Sequence, residues 1–242
     1  MQKPELIILL LVVIVFIAAI IIYPPKVLEP LNVVATCSLN PEQSRIDLPI
    51  PDFQGKSLET AIKDRTTVTE YSSESLSLKE VSMLLWAGNG ITGDESSFRS
   101  VPSLGSLNPI DIYMIPNRVD NASCGVYKYL YGNHEMILVK SGEFSSQLSS
   151  IAANQSYLKN TAAVFVLVAV QKRTTNVYGE EGKSHILLET GHIVQNMLLE
   201  ATSLNLSSAP IAVFGKNKTV DLLGLDKEKN EAVYLIAVGK KR

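Results

Sequence analysis

Phe98 to Tyr113 reads FRSVPSLGSLNPIDIY. Between Pro102 and Pro109 it gathers two prolines, two serines, a glycine and an asparagine. A loop of this make-up exposes main-chain N–H groups and small hydroxyls, so it can approach a flat or anionic ligand closely. The same composition also makes plain turns, so the loop alone does not decide. The residues after it do more. Ile110, Ile112 and Met114 alternate with Asp111, Tyr113 and Ile115, the period of a β-strand.

Upstream, Ser77-Leu78-Lys79-Glu80 is a capping box, with Leu76 and Val81 spaced for a hydrophobic staple. The helix it opens carries Leu78, Val81, Leu84 and Leu85 to Trp86, which reads as a core residue, and stops at Ala87-Gly88. An earlier short helix from Ser57 runs into Asp64-Arg65-Thr66-Thr67-Val68-Thr69. There a forked cation with hydroxyls two and four residues later suits a phosphate. A solvated helix end is the plainer reading of the same residues.

Downstream, Val126–Tyr131, a Gly132-Asn133 turn and Glu135–Val139 read as a hairpin, with His134 on its surface. A helix is expected over Gln147–Lys159. Ala162–Val170, AAVFVLVAV, reads as a central strand covered on both faces. The long helix from about Ser184 to Leu204 places Leu187, Gly191, Val194, Leu198 and Ala201 on one face. Thr219 reads as the cap of a short helix to Leu223, and Glu231–Val238 as the last strand. His185 and His192 have no nearby third ligand, so no metal site is assigned.

These segments, in this order, resemble the nitroreductase superfamily of FMN-dependent oxidoreductases, in particular its SagB-type dehydrogenase branch. VSMLLWAGNGITG (81–93) is similar to the family's LSQLLWAAQGITG, and Arg99 with Pro102–Pro109 parallels its R-T-A-P-S-A-G-A-L-Y-P. GVYKYLYGNHEM (125–136) matches its hairpin, and Ala152-Ala153-Asn154-Gln155 its A-A-x-x-Q. Arg173-Thr174-Thr175 with Tyr178-Gly179-Glu180 matches E-R-T-T-x-K-Y-G-E, Glu189 to Asn196 matches E-A-G-H-x-x-Q-N, and Pro210–Phe214 the P-I-x-x-F segment.

The resemblance implies an α+β fold: a central, mostly antiparallel sheet flanked by helices, in an intertwined homodimer with two FMN sites at the interface. It implies that Arg65, Thr67 and Thr69 hold the FMN phosphate, although Thr66 and Thr69 stand where relatives often have arginine. Lys240 or Arg242, near the C-terminus, would compensate. Pro102, Ser103, Gly105 and Ser106 would lie against the flavin, often that of the partner subunit. Gln155 would read the pyrimidine edge, since an amide both donates and accepts. The main chain at Ala212 and Val213 would meet the flavin near N5. Glu181 and Ser184 replace two later family arginines, which puts any role of those arginines in doubt.

The implied mechanism is ping-pong hydride transfer through flavin N5. The donor is NADH, NADPH or another reductant, the acceptor is a small molecule, and no side chain is assigned as catalytic because the cofactor carries the chemistry. Heterocycle-oxidising members need further catalytic residues and a biosynthetic partner, and that activity is not assigned. Two alternatives stand beside this reading. One is a deiodinase-like reductive dehalogenase, which would require a lid insertion not seen here. The other is a flavin-free, degenerate module for protein interaction.

Leu6–Tyr23, LIILLLVVIVFIAAIIIY, has no charged side chain in eighteen residues, close to the length that spans a bilayer. It reads as an uncleaved transmembrane anchor after a five-residue flank, with a cleaved signal peptide as the rival. Residues 24–56 hold six of the eleven prolines and read as a stalk, leaving 57–242 as the FMN-binding domain. Asn121, Asn154, Asn205 and Asn217 begin N-x-S/T sequons, which leans toward an extracytoplasmic domain on a single-pass membrane protein. Cys37 and Cys124, the only cysteines, allow a disulfide; a bystander thiol is the preferred reading of Cys37. The net charge of −2 with scattered Lys and Arg gives no footprint for nucleic acid.

Overall fold

A computed structural model describes Cys37, residues 44–93 and residues 98–242. The expected anchor, Leu6–Tyr23, lies outside the described residues. Among those described, no helix is long and apolar enough to cross a membrane.

Seven strands form one sheet: β1 (Arg45–Asp47), β2 (Ile110–Pro116), β3 (Gly125–Leu130), β4 (Glu135–Ser141), β5 (Ala163–Val170), β6 (Leu206–Ile211) and β7 (Asn230–Lys240). Their order is β1-β4-β3-β2-β5-β7-β6, and every neighbouring pair is antiparallel. Six α-helices join them: α1 (Leu58–Asp64), α2 (Leu78–Asn89), α3 (Ser145–Ile151), α4 (Lys172–Tyr178), α5 (Gly182–Ser203) and α6 (Lys216–Leu223). This is the α+β architecture that the resemblance implies.

The alternation in β2 splits the core in two. Ile110, Ile112 and Met114 join Phe165 and Leu167 of β5 on one face, packed under Leu84 and Leu85 of α2 and Ile193 and Met197 of α5. Tyr113 and Ile115 join Val164, Val166 and Val168 on the other, under Leu148 of α3 and Val220 and Leu223 of α6. All of β2, Asp111 included, is buried, as is β5 up to Val170, because both strands lie mid-sheet with helices on both faces. The capping box forms as read: Glu80 N–H donates to Ser77 Oγ at 3.3 Å, and Ser77 N–H to Glu80 Oε2 at 2.9 Å.

Several expectations change. Residues 45–47, read as stalk, form β1 against β4, and Ile46 and Leu48 are buried. The domain therefore begins upstream of Ser57. Cys37 is no bystander; it is disulfide-bonded to Cys124. The helix expected over Gln147–Lys159 stops at Ile151, because Ala153 and Asn154 take left-handed conformations (φ 55° and 60°), and resumes as a 3-10 turn over Ser156–Lys159. On α5 Val194, Leu198 and Ala201 are buried as expected, with Ile186, Thr190, Ile193 and Met197, but Leu187 and Gly191 point the other way. His134 is half-buried rather than a surface residue, bonded to Ser82 Oγ at 2.7 Å and Tyr129 Oη at 2.9 Å, and burial holds its pKa below the usual value. Trp86 is only partly buried, its indole N–H donating to Ile91 O at 3.0 Å. Helix α6 starts one turn earlier than Thr219, whose hydroxyl bonds back to Gly215 O at 3.1 Å.

Candidate functional site

After α1 the chain runs extended along the sheet margin. Val68 N–H donates to Ser208 O of β6 at 2.9 Å, Ser72 N–H to Lys240 O at 3.0 Å, and Tyr71 bridges to Lys241. This sets a half-buried Arg65 and the exposed Thr67 and Thr69 beside the ends of β6 and β7. The basic tail is partly committed. Lys240 lies inside β7, its Nζ 2.5 Å from Glu80 of the capping box, and Arg242 leans to Glu70 at 4.0 Å. Lys241 remains near Asp64, whose carboxyl is held below its usual range chiefly by Lys56 at 3.0 Å.

The Ala152–Gln155 turn lies next to this margin. The Tyr71 and Tyr157 rings sit 6.5 Å apart. Gln155 is fixed by its neighbours: its N–H donates to Ala152 O at 3.2 Å, its carbonyl accepts from Ser149 Oγ at 3.0 Å, and its side-chain Oε1 accepts from the Tyr157 hydroxyl. Gly215 N–H reaches back to Ile151 O at 3.0 Å, which brings the segment after β6 to α3. The β6–β7 ladder ends at Ile211↔Leu235, so Ala212 and Val213 leave the sheet with their main chain unlatched from it, and Val213 is 73% exposed. Arg65, Thr67, Thr69, Gln155, Ala212 and Val213 thus lie on segments linked through β6, the Tyr71–Tyr157 pair and the Gly215–Ile151 bond.

The Pro102–Pro109 loop is elsewhere. Its contacts run to α4, α5 and β5. Gly105, Ser106 and Asn108 are all left-handed (φ 58°, 55° and 44°). The loop closes on itself through Asn108 N–H to Ser103 Oγ at 2.9 Å and Asn108 Nδ2 to Ser106 O at 2.8 Å. Arg173 of α4 donates to Asn108 O at 3.0 Å and pairs with Asp111 at 2.7 Å; Lys128 holds the same carboxylate at 2.8 Å. Gly105 is required by its own backbone, and a Cβ there would stand 3.1 Å from the Tyr178 hydroxyl. Pro102, Leu104, Gly105 and Ser106 are left exposed.

Three participants have roles that the sequence alone does not assign, two of them, Arg173 and Glu189, within quoted motifs. Tyr157 holds Gln155. Arg173, quoted only as part of a motif, ties the loop to β2 through Asp111. Glu189 on α5 is 6% exposed and faces Ser103, and burial raises its pKa from 4.5 to about 7. Glu189 falls between the core positions Ile186 and Ile193, a helical-period signal that could have marked it as buried. Among the described residues, no group of three or more His, Cys, Asp or Glu could hold a metal ion.

The model of the nitroreductase family matches residues 62–240. A Methanocaldococcus jannaschii protein described as a nitroreductase is 34% identical over 196 residues, spanning 81% of this chain and 97% of the relative. A crystal structure from Ralstonia eutropha, also described as a nitroreductase, superposes with a TM-score of 0.73 at 20% identity, covering 85% of this chain and 93% of the other. One from Desulfovibrio desulfuricans, solved in complex with FMN, gives 0.55 at 19% identity over 76% of this chain and 86% of the other.

Proposed function

This chain belongs to the nitroreductase family, and on that premise we propose that it is a membrane-tethered, FMN-dependent oxidoreductase of the SagB-type dehydrogenase branch. The observation that carries the reading is the set of linked segments that bear a cation and hydroxyls at Arg65, Thr67 and Thr69, an amide at Gln155, and main chain beyond the β6–β7 ladder at Ala212 and Val213. These donors fit FMN in kind. Arg65 with the two threonines would hold its phosphate. Gln155 would bond the pyrimidine ring, and the main chain after β6 would line the reactive edge. When bound, FMN supplies two-electron transfer, and the protein's part is to bind, orient and exclude water. Lys240 is engaged by Glu80, so Lys241 and Arg242 are the tail cations with reach to spare.

The loop at Pro102, Ser103, Gly105 and Ser106 supports a site shared between two chains, because it packs with α4 and α5 and not with Gln155. α5 offers a surface for such a partner. Leu187 and Leu188 are 60% and 62% exposed, and a side chain at Gly191 would meet nothing within 4 Å. The Cys37–Cys124 disulfide supports an oxidising, extracytoplasmic setting, as does the exposure of all four sequon asparagines.

The deciding experiment is the visible spectrum of the full-length protein purified in detergent. A yellow protein releasing about one FMN per chain on heating, reducible by NADH, NADPH or dithionite, is expected. A folded, colourless protein that takes up no added FMN sinks the reading and leaves a flavin-free interaction module in its place.

A further inference from the structure

Three of the four hydrogen-bonding groups of Gln155 are occupied within the chain. Its N–H donates to Ala152 O, its carbonyl accepts from Ser149 Oγ, and its Oε1 accepts from the Tyr157 hydroxyl. Only the Nε2 amide hydrogens have no acceptor among the described residues. Tyr157 is itself held. Its ring lies 6.5 Å from that of Tyr71, tilted by 42°, and Tyr71 is buried and bridged to Lys241. A hydroxyl kept protonated donates, and partial burial raises the Tyr157 pKa above the usual tyrosine value.

We propose that Tyr157 is a positioning residue that keeps the Gln155 amide from turning over, so that Nε2 is presented as a hydrogen-bond donor to a carbonyl oxygen of the flavin pyrimidine ring. The inference rests on the FMN reading above. A free glutamine amide serves donors and acceptors alike by turning over. With Oε1 held by Tyr157 the amide is kept from turning over, and its Nε2 hydrogens stay available to an acceptor. Negative charge on the pyrimidine edge grows when a flavin is reduced, so a fixed donor there favours the reduced form.

The test uses full-length protein, stripped of flavin and titrated with FMN by fluorescence. Dye-free thermal melts serve as the folding control. Tyr157→Phe is expected to raise the FMN dissociation constant about tenfold, the scale of one hydrogen bond. It is also expected to make the reduction potential of bound FMN more negative. Gln155→Ala should lose about as much, and the double variant no more than Gln155→Ala alone, since both remove one interaction. Gln155→Glu keeps the shape but cannot donate, and should weaken FMN binding even with Tyr157 in place. Wild-type affinity and potential in Tyr157→Phe, additive losses in the double variant, or unchanged binding in Gln155→Glu would each overturn the proposal and leave the FMN reading standing. Failure of the wild-type chain to bind FMN would remove both.

Discussion

The Pro102–Pro109 loop and the Ala152–Gln155 turn use the same backbone device in opposite ways. Each turns on left-handed residues: Gly105, Ser106 and Asn108 in the loop, Ala153 and Asn154 in the turn. The loop places a glycine at one such position and is then held from a distance, by Arg173 through Asp111 and by α5 through Glu189. The turn has no glycine and is held by residues at most six positions away, Ser149 and Tyr157. Long-range anchoring makes the loop's shape depend on the whole domain. Local anchoring makes the turn depend first on its own few hydrogen bonds, with Tyr71 and Gly215 as its distant supports.

The largest expected break in that contrast is Arg173→Ala. Asp111 is 9% exposed and would keep only Lys128, while the loop would lose its tie at Asn108. A loss of about 3 kcal/mol is expected, read as a lower denaturation midpoint. Lys172→Ala, on the same helix but outside the network, should change little.

Next comes acidity. The folded-state pKa of Glu189 is about 7 against 4.5 unfolded. The folded protein therefore keeps a proton that the unfolded chain releases. This contribution is fully present below about pH 4.5 and is lost as pH rises toward 7. Relative to Glu189→Gln, wild type should lose on the order of 3 kcal/mol across that window, measured by chemical denaturation at several pH values. A flat difference would mean that the carboxyl is not buried against the loop.

The smallest effects are a matched pair of opposite sign. Gly105→Ala should cost about 1 kcal/mol, since φ is 58° and the new methyl crowds the Tyr178 hydroxyl. Ala153→Gly should stabilise by roughly 0.5 kcal/mol, relief of a left-handed alanine less the added chain entropy. Both are measured as shifts in thermal midpoint.

Where local chemistry dominates, the sequence was readable. The capping box at Ser77, the 132–133 hairpin turn and the apolar run of β5 each carry their signal within a few residues, and the structure holds all three. The misread parts depend on partners far along the chain. β1 is only Arg-Ile-Asp, too short for a period, and becomes a strand because β4 lies beside it. The break at Ala153-Asn154 is written in dihedral angles rather than residue types. The α5 stripe held at Val194, Leu198 and Ala201 and failed at Leu187 and Gly191, where the buried positions are the polar Glu189 and Thr190. At the candidate site, the motifs located Arg65, Gln155 and the loop. The groups that hold them, Tyr157, Arg173 and Glu189, gain their roles only from contacts.

The disulfide also decides how the domain would carry load. A pull on the chain ahead of Cys37 passes through sulfur to Cys124, at the foot of β3, and bypasses the chain between them, a sequence separation of 87. The three-residue edge strand β1, which would otherwise peel from β4 like the end of a zip, sits inside that covalent ring and feels none of the tension. Tension enters instead next to β3, a strand with neighbours on both sides, where it must shear several hydrogen bonds at once.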